Sequence, residues 1–338
     1  MTEGRKNWWK PAIKWTLVVL VLWFVFVRVR ELLGRDEFQA SEFELQPLWL
    51  LPAAGLYLVG WLPSVWFWRR LIDQSGGNVS WFHATRAYYC GHLGKYVPGK
   101  AMALVIRAAL LKSHGCRPAI AALTGTCETL LLMLAGGLTA VALSPILARG
   151  LDTSTWPEAA RWAVRHALVP AGLVVLGSAI VLPVLARLLS VLTRKLTPEE
   201  LRQDSTVRIT TGLLASGLVG FVVCWFIQGL AVGCLLRSAG AEVTLDQWPV
   251  WTGAAALATA GGFFALFAPG GVGVRELLLI ETLRIQPEIG PAEAVAAAIL
   301  MRLVWLVTEI IAAGGLYWSD RETASPVTPS GPQTPSDS

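Results

Sequence analysis

Charged residues are scarce in this chain of 338 residues, since they make up only 15% of it, while hydrophobic residues make up 54%. The mean hydropathy is +0.54, and the chain contains 16 tryptophans. An ordinary soluble domain is more polar and contains fewer tryptophans. This composition excludes a soluble globular protein and indicates an integral membrane protein.

The sequence also lacks the patterns that support common kinds of catalysis. It contains no P-loop, no Ser-His-Asp pattern and no paired carboxylates, so covalent or ATP-driven catalysis has no candidate residues. Its five cysteines have no CxxC or CxxxC spacing, which argues against a disulfide framework or a zinc site. His83, Cys90 and His92 have no recognised ligand spacing either. We therefore expect no enzymatic activity, no cofactor and no metal.

Long runs with few or no charges are what the chain has instead. At 1.5 Å per residue, roughly 20 residues of helix cross the hydrocarbon core of a membrane. Six transmembrane helices are predicted, at Ile13–Val29, Pro47–Trp68, Pro118–Ala148, Ala167–Ala186, Ile209–Leu236 and Pro291–Ser319. A cleaved signal peptide is the alternative for the first of them, but no small-x-small site follows it, which favours a retained helix.

The distribution of basic residues predicts the orientation in the membrane. Four basic residues lie before the first helix or in its first turn, and the stretch 69–117 holds eight against a single acid. By the positive-inside rule these parts face the cytoplasm, so both termini are predicted to be cytoplasmic and the protein to lie in the cell (inner or plasma) membrane. The predicted organisation is a cytoplasmic segment at 1–14, one polytopic membrane domain at 15–320 and a disordered tail at 321–338, where Pro, Ser and Thr cannot form a core.

Two Pro-Gly breaks interrupt membrane-like regions in segments that resemble each other, Lys95–Arg107 and Phe267–Glu276. A break inside a bilayer frees backbone groups that hydrocarbon cannot satisfy, so it persists only where protein or a polar cavity covers it. Paired breaks in two halves of a chain are typical of transporter binding sites. The breaks therefore point to a polar site inside the membrane.

Each break is predicted to lie near the tip of a re-entrant helical hairpin, at 80–112 and 247–285. The alternative for the second is a simple span, because Gln247–Val274 is uncharged and long enough to cross. With hairpins, repeat one (47–148) and repeat two (209–318) have the same order of helix, hairpin and helix, in opposite orientations. Inverted repeats of this kind place two broken elements face to face near the membrane midplane.

Arg107 and Arg275 each follow a break, and a guanidinium can hold a phosphate through two parallel N–H bonds. A glycine-rich turn that opens a helix also favours an anion. We predict a site for a lipid headgroup at Lys95, Tyr96, Pro98, Gly99, Lys100, Arg107, Pro269, Gly270, Gly271, Gly273, Arg275 and Glu276. The alternative is that these prolines and glycines only form tight turns and that the arginines mark the membrane interface.

Three charges within the apolar runs, Glu128, Arg302 and Glu309, form a predicted intramembrane charge network. An isolated charge in hydrocarbon costs several kcal/mol, so each should find a partner inside the protein. Glu128 and Arg302 lie at similar distances after Pro118 and Pro291, which predicts an ion pair across the two halves. That pair could also be purely structural. Glu309 lies on nearly the same helix face as Arg302, where it could relay protons or meet water at the cytoplasmic end.

These residues carry a resemblance that spans residues 15–320. The sequence resembles the membrane region of bacterial lysylphosphatidylglycerol synthases at four places, which are Pro98-Gly99 with Arg107, the helix of Glu128, the segment Pro269-Gly-Gly-Val-Gly-Val-Arg-Glu276, and Arg302. This region is the flippase half of the multiple peptide resistance factor, and stand-alone relatives also have it. The resemblance implies movement of a lipid headgroup across the bilayer, lysylphosphatidylglycerol in the best-known members and other lipids or lipid-linked glycans in relatives.

The chain departs from the full-length synthase in two ways. No soluble aminoacyltransferase domain of conventional size follows residue 320, so aminoacyl transfer is not expected. Thr129 also stands where the resemblance favours an arginine after Glu128.

The sequence thus predicts an all-α membrane protein that moves a lipid headgroup as a flippase or scramblase. The expected partners are a phospholipid or a polyprenyl-linked phosphate, with no nucleic acid, and a second copy of the chain or a partner transferase is left open. The alternative is a non-transporting partner or scaffold of a lipid-modifying or glycosyl-transferring enzyme. A membrane enzyme comes third, because no catalytic set is visible.

Overall fold

A computed structural model describes residues 45–96, 102–149, 151, 154–196, 208–264 and 273–322 of the chain. All regular secondary structure in these ranges is helical, which confirms the predicted all-α class. The α-helices described there are α1 Leu50–Gly60, α2 Leu62–Gln74, α3 Trp81–His92, α4 Met102–Lys112, α5 Pro118–Leu147, α6 Glu158–Arg165, α7 Leu168–Leu196, α8 Thr211–Ser238, α9 Trp248–Phe264, α10 Val274–Arg284 and α11 Pro291–Glu322.

Five segments among the described residues are long and apolar enough to cross a membrane. They are Pro47–Gln74, which contains α1 and α2, and then α5, α7, α8 and Pro291–Ser319 of α11. Each coincides with a predicted span. The predicted first helix Ile13–Val29, the N-terminal segment 1–14 and residues 323–338 of the predicted tail lie outside the described residues.

Glycines allow the two short helices of each predicted hairpin to pack closely. A Cβ added to Gly94 would lie 2.5 Å from the backbone nitrogen of Ala103, so α4 folds back directly onto the end of α3. In the second half, a Cβ on Gly262 would lie 3.0 Å from the Cβ of Arg275, so α10 folds back onto α9. The helices α9 and α10 therefore pack against each other and do not form one straight span. The insertion of both hairpins into the membrane stays a prediction.

The contacts between helices follow the same pattern when the two halves are exchanged. The first helix of one hairpin, α3, packs against α11 of the other half, and its counterpart α9 packs against α5. The second helices, α4 and α10, pack against the long helices of their own halves, α5 and α11. Both hairpins thus contact both halves, and the repeats themselves stay a prediction. The opposite orientation of the halves in the membrane stays a prediction.

The core between the halves is built from aromatic rings packed against small residues. Phe67 of α2 and Trp225 of α8 are almost fully buried. A Cβ on Gly217 would lie 2.3 Å from the ring of Phe67, and a Cβ on Gly136 would lie 2.9 Å from the ring of Trp225. Small residues allow membrane helices to approach closely in this way. The indole of Trp225 also donates to the carbonyl of Leu132 at 3.1 Å, which satisfies a buried donor that hydrocarbon could not.

Candidate functional site

The ends of the two hairpins meet at one tryptophan, Trp305 of α11. Lys95 lies in the short 3-10 turn Leu93–Tyr96 that precedes the first break, and its Nζ is 5.9 Å from the centre of the Trp305 ring. Arg275 lies in the first turn of α10, after the second break, and its Cζ is 4.1 Å from the centre of the same ring. Both distances are in the range of cation–π attraction. The two hairpins therefore bring two cations to a shared aromatic surface.

Tyr57 of α1 completes this aromatic surface. Its ring stacks on Trp305 with centroids 4.6 Å apart and an interplanar angle of 18°. Tyr57 is 0% exposed and Trp305 is 5% exposed, so the stack is part of the core and holds Trp305 in place under Arg275. A cation over a desolvated ring of this kind gains about 2 kcal/mol.

Local sequence explains the position of Glu276 at the start of α10. Gly273 caps this helix with a φ of +88°, a backbone conformation that residues with a side chain rarely adopt. Its N–H donates to Oε2 of Glu276 at 2.7 Å, and Oε1 of Glu276 accepts from Nε of Arg302 on α11. A single carboxylate thus caps the helix and pairs with the neighbouring helix, which fixes the second hairpin arm against α11.

Glu309 belongs to the same buried cluster and lies one turn further along α11 from Trp305. One carboxylate oxygen, Oε1, accepts from the hydroxyl of Tyr57 and from Nζ of Lys95, and it lies 3.5 Å from Nδ1 of His92. Glu309 is 0% exposed, so the expected alternative of a water-facing position is wrong. The ion pair with Lys95 ties the first hairpin to the last helix of the second half.

Several buried polar atoms around this point have no hydrogen-bond partner in the described part of the chain. Three are donors, Nε of Arg275, Nη2 of Arg302 and Nε1 of Trp305, and one is an acceptor, Oε2 of Glu309. Arg275 also forms no ion pair with any described residue, while both neighbouring carboxylates are paired. Buried donors without partners are rare in native proteins. An anion that accepts from these donors would satisfy them.

The predicted ion pair between Glu128 and Arg302 is wrong. Glu128 of α5 pairs within its own half with Nη1 of Arg107 on α4 at 2.9 Å, and it also accepts from Tyr88 at 3.0 Å. Arg302 likewise pairs within its own half, with Glu276. The two pairs are equivalent in position but opposite in sign, because the hairpin arm carries the arginine in the first half and the glutamate in the second.

Arg107, and not residue 129, supplies the cation that pairs with Glu128. Its guanidinium lies 3.9 Å from the centre of the Tyr88 ring and 5.2 Å from that of Trp68, and the residue is 5% exposed. Thr129 contributes only a hydrogen bond of 3.3 Å to Glu128. The guanidinium is paired and stacked, but its Nε has no hydrogen-bond partner among the described residues, and the predicted role of Arg107 in binding a headgroup stays a prediction.

The structure thus brings together part of the predicted site. Lys95, Arg275 and Glu276 share one cluster with two members of the predicted charge network, Arg302 and Glu309. Tyr96 lies beside them, with its ring centre 5.1 Å from Nζ of Lys95. Outside the described residues lie Pro98, Gly99, Lys100, Pro269, Gly270 and Gly271.

Sequence reasoning missed three aromatic members of the cluster, Tyr57, His92 and Trp305. The spacing of the last helix carries a signal for one of them, because Arg302, Trp305 and Glu309 at i, i+3 and i+7 lie on one face. Among the described residues no group of three or more His, Cys, Asp or Glu side chains is arranged to hold a metal ion.

One family model matches nearly the whole chain. Its description is the lysylphosphatidylglycerol synthase TM region, and it covers residues 12–313. A comparison with curated proteins gave no match. The match extends over both hairpins and over α1 to α11 as far as residue 313, so it includes every residue of the cluster around Trp305.

Proposed function

The chain belongs to the lysylphosphatidylglycerol synthase transmembrane-region family, and from this premise we propose that it binds a lipid by its headgroup phosphate and moves it across the bilayer, as a flippase or scramblase. Membership makes it a multi-pass membrane protein of lipid metabolism or transport. The matched region is the membrane part of the family. The proposal adds lipid movement as the activity and the cluster around Trp305 as the binding site.

The observation that carries the proposal is the set of unpartnered buried donors at the meeting point of the hairpins. Arg275 brings a guanidinium that no described carboxylate neutralises, and Arg302 and Trp305 each bring a further N–H. A phosphate accepts several hydrogen bonds and matches the planar fork of an arginine. The cluster therefore suits a phosphate better than a neutral ligand.

The position of these donors favours movement over static binding. They lie between two hairpins, each of which packs against the opposite half through its first helix, and transporters of inverted-repeat design bind substrate between two such broken elements. A small shift of one half against the other would then change the side from which the headgroup is reached. The Lys95–Glu309 and Arg302–Glu276 pairs support the site from both hairpins.

Reconstitution of the purified protein in vesicles tests this proposal. We expect Arg275→Gln to reduce the rate of headgroup translocation at least about tenfold, because one charge-assisted hydrogen bond to a buried anion contributes about 1.5–3 kcal/mol. The matched control is Arg284→Gln on the same helix, where the arginine is exposed and, among the described residues, pairs with Glu281. Equal rates for the two variants would remove Arg275 from the mechanism.

The same assay separates transport from a scaffold role. Wild-type protein as the only protein in the vesicle should move a fluorescently labelled phospholipid from the inner to the outer leaflet, measured by loss of fluorescence after reduction of the outer label. Protein-free vesicles give the background rate. A wild-type rate at that background would favour a non-transporting partner of another enzyme.

A further inference from the structure

The charges of the cluster are not balanced in the described part of the chain. Three cations, Lys95, Arg275 and Arg302, surround two carboxylates, Glu276 and Glu309, which leaves an excess of one positive charge. The excess falls on Arg275, since Lys95 pairs with Glu309 and Arg302 pairs with Glu276. The charge that remains to be matched by a ligand is therefore negative.

Glu276 and Glu309 each have one carboxylate oxygen that already pairs with a cation of the cluster. Glu276 uses one oxygen for Arg302 and the other for the N–H of Gly273. Glu309 uses Oε1 for Lys95 and Tyr57, and only its Oε2 is without a partner. An ammonium group that approached Glu309 would also lie next to the ammonium of Lys95, and like charges in a water-poor site repel strongly.

We propose that Lys95 makes this site selective for lipids with an anionic phosphate headgroup and against headgroups that carry an added amine, because it neutralises the carboxylate of Glu309. This inference rests on the proposed function and assigns to that same site the charge class of its ligand. Phosphodiester and phosphomonoester lipids share the required chemistry. Lys95 acts here as a residue that determines specificity, while Arg275 holds the phosphate.

The first test compares three phospholipids with identical acyl chains in competition for the purified wild-type protein, measured by native mass spectrometry. Phosphatidylglycerol is anionic, phosphatidylcholine is zwitterionic, and lysylphosphatidylglycerol carries two amines. We expect phosphatidylglycerol to bind at least about tenfold more tightly than lysylphosphatidylglycerol. Equal binding of these two lipids, or a preference for the lysyl lipid, would overturn the inference. A polyprenyl phosphate, added as a fourth competitor, shows whether the site prefers a phosphomonoester lipid or a phosphodiester lipid such as phosphatidylglycerol.

The second test changes the preference by substitution. Lys95→Met leaves two cations and two carboxylates in the cluster, so that Glu309 can accept a hydrogen bond from an amine of the lipid. The ratio of the affinity for phosphatidylglycerol to that for lysylphosphatidylglycerol should then fall to about one. The double variant Lys95→Met with Glu309→Gln removes the unpaired carboxylate as well and should restore the preference for phosphatidylglycerol. Lys112→Met is the matched control, because this lysine is exposed at the far end of α4. Measurement at about pH 8 keeps an ordinary histidine neutral.

The outcomes separate this inference from the proposed function. A Lys95→Met variant that folds, judged by a single symmetric peak in size-exclusion chromatography, and that keeps the wild-type ratio would refute the role of Lys95. If that variant does not fold, the wild-type ratio of the first test decides alone. Loss of phosphatidylglycerol binding in Arg275→Gln but not in Arg284→Gln supports the phosphate site, whichever result Lys95 gives.

Discussion

Removal of Arg107 should destabilise the protein much more than removal of an exposed arginine. Arg107 and Glu128 are almost fully buried, with side chains 6% and 1% exposed, and their atoms approach to 2.9 Å. Arg107→Met keeps an apolar stem of similar length but leaves the carboxylate without its cation. Removal of one partner of a buried ion pair lowers the free energy of unfolding by about 3–5 kcal/mol. Loss of the stacking on Tyr88 lowers it further, by about 1–2 kcal/mol.

Removal of both charges should restore most of that stability. In Arg107→Met with Glu128→Leu no unpaired charge remains, and well-packed apolar replacements of a buried pair are often neutral or better. The double variant should therefore lie within about 2 kcal/mol of the wild type, so that a double-mutant cycle gives a coupling energy of at least about 2 kcal/mol.

Unfolding in mixed micelles by increasing denaturing detergent, followed by tryptophan fluorescence, measures these differences. Arg284→Met is the control, because its exposed pair with Glu281 at 2.6 Å should contribute only about 0–1 kcal/mol. The reasoning is refuted if Arg107→Met costs no more than the control. It is equally refuted if the double variant costs the sum of its two single variants, since the two side chains would then act independently.

Two glycine substitutions test the packing of the helices and the start of α10. Gly136→Ala should lower the free energy of unfolding by about 1–3 kcal/mol, because its Cβ would lie 2.9 Å from the ring of Trp225. Gly137→Ala is the control, since no atom lies within 4 Å of its new Cβ, and it should be neutral or stabilising in the same unfolding assay. Equal effects of the two substitutions would contradict the described interface. Gly273→Ala forces a φ of +88° on a residue with a side chain at about 1–3 kcal/mol, so headgroup translocation should slow because Glu276 loses its position, and an unchanged rate would show that the cap does not matter.

The long helices of this chain could be predicted because each depends on a local property. A run of about 20 apolar residues has few alternatives in a bilayer, so Pro118–Ala148 and Ile209–Leu236 were located by counting alone. The paired helices α3 with α4 and α9 with α10 also had a local signal in the sequence, because a Pro-Gly pair interrupts the apolar run between the two helices of each pair. The family resemblance followed from the order of these features and is confirmed over residues 12–313.

The partners of the buried charges could not be predicted in the same way. The sequence predicts a pair between Glu128 and Arg302 because they lie at similar distances after Pro118 and Pro291. A similar position in two repeats, however, makes two residues counterparts and does not make them neighbours in space. Their true partners, Arg107 and Glu276, come from the hairpin arm that packs beside each long helix. Which arm faces which helix is decided by tertiary packing. Tyr57 and His92 were missed for the same reason, since nothing in their local sequence marks them.

Helix α7 has a consequence for how such a chain is assembled. It packs only loosely on its neighbours, α5 and α8, and most of its surface is exposed, so it contributes little to the interior. In the predicted topology each half contains two crossings and a re-entrant hairpin, so each half would start and finish on the same side of the bilayer. The single crossing of α7 between them would then give the second half the opposite orientation. Among the described spans, the one with the smallest buried share is thus the one that would set the orientation of the second half relative to the first.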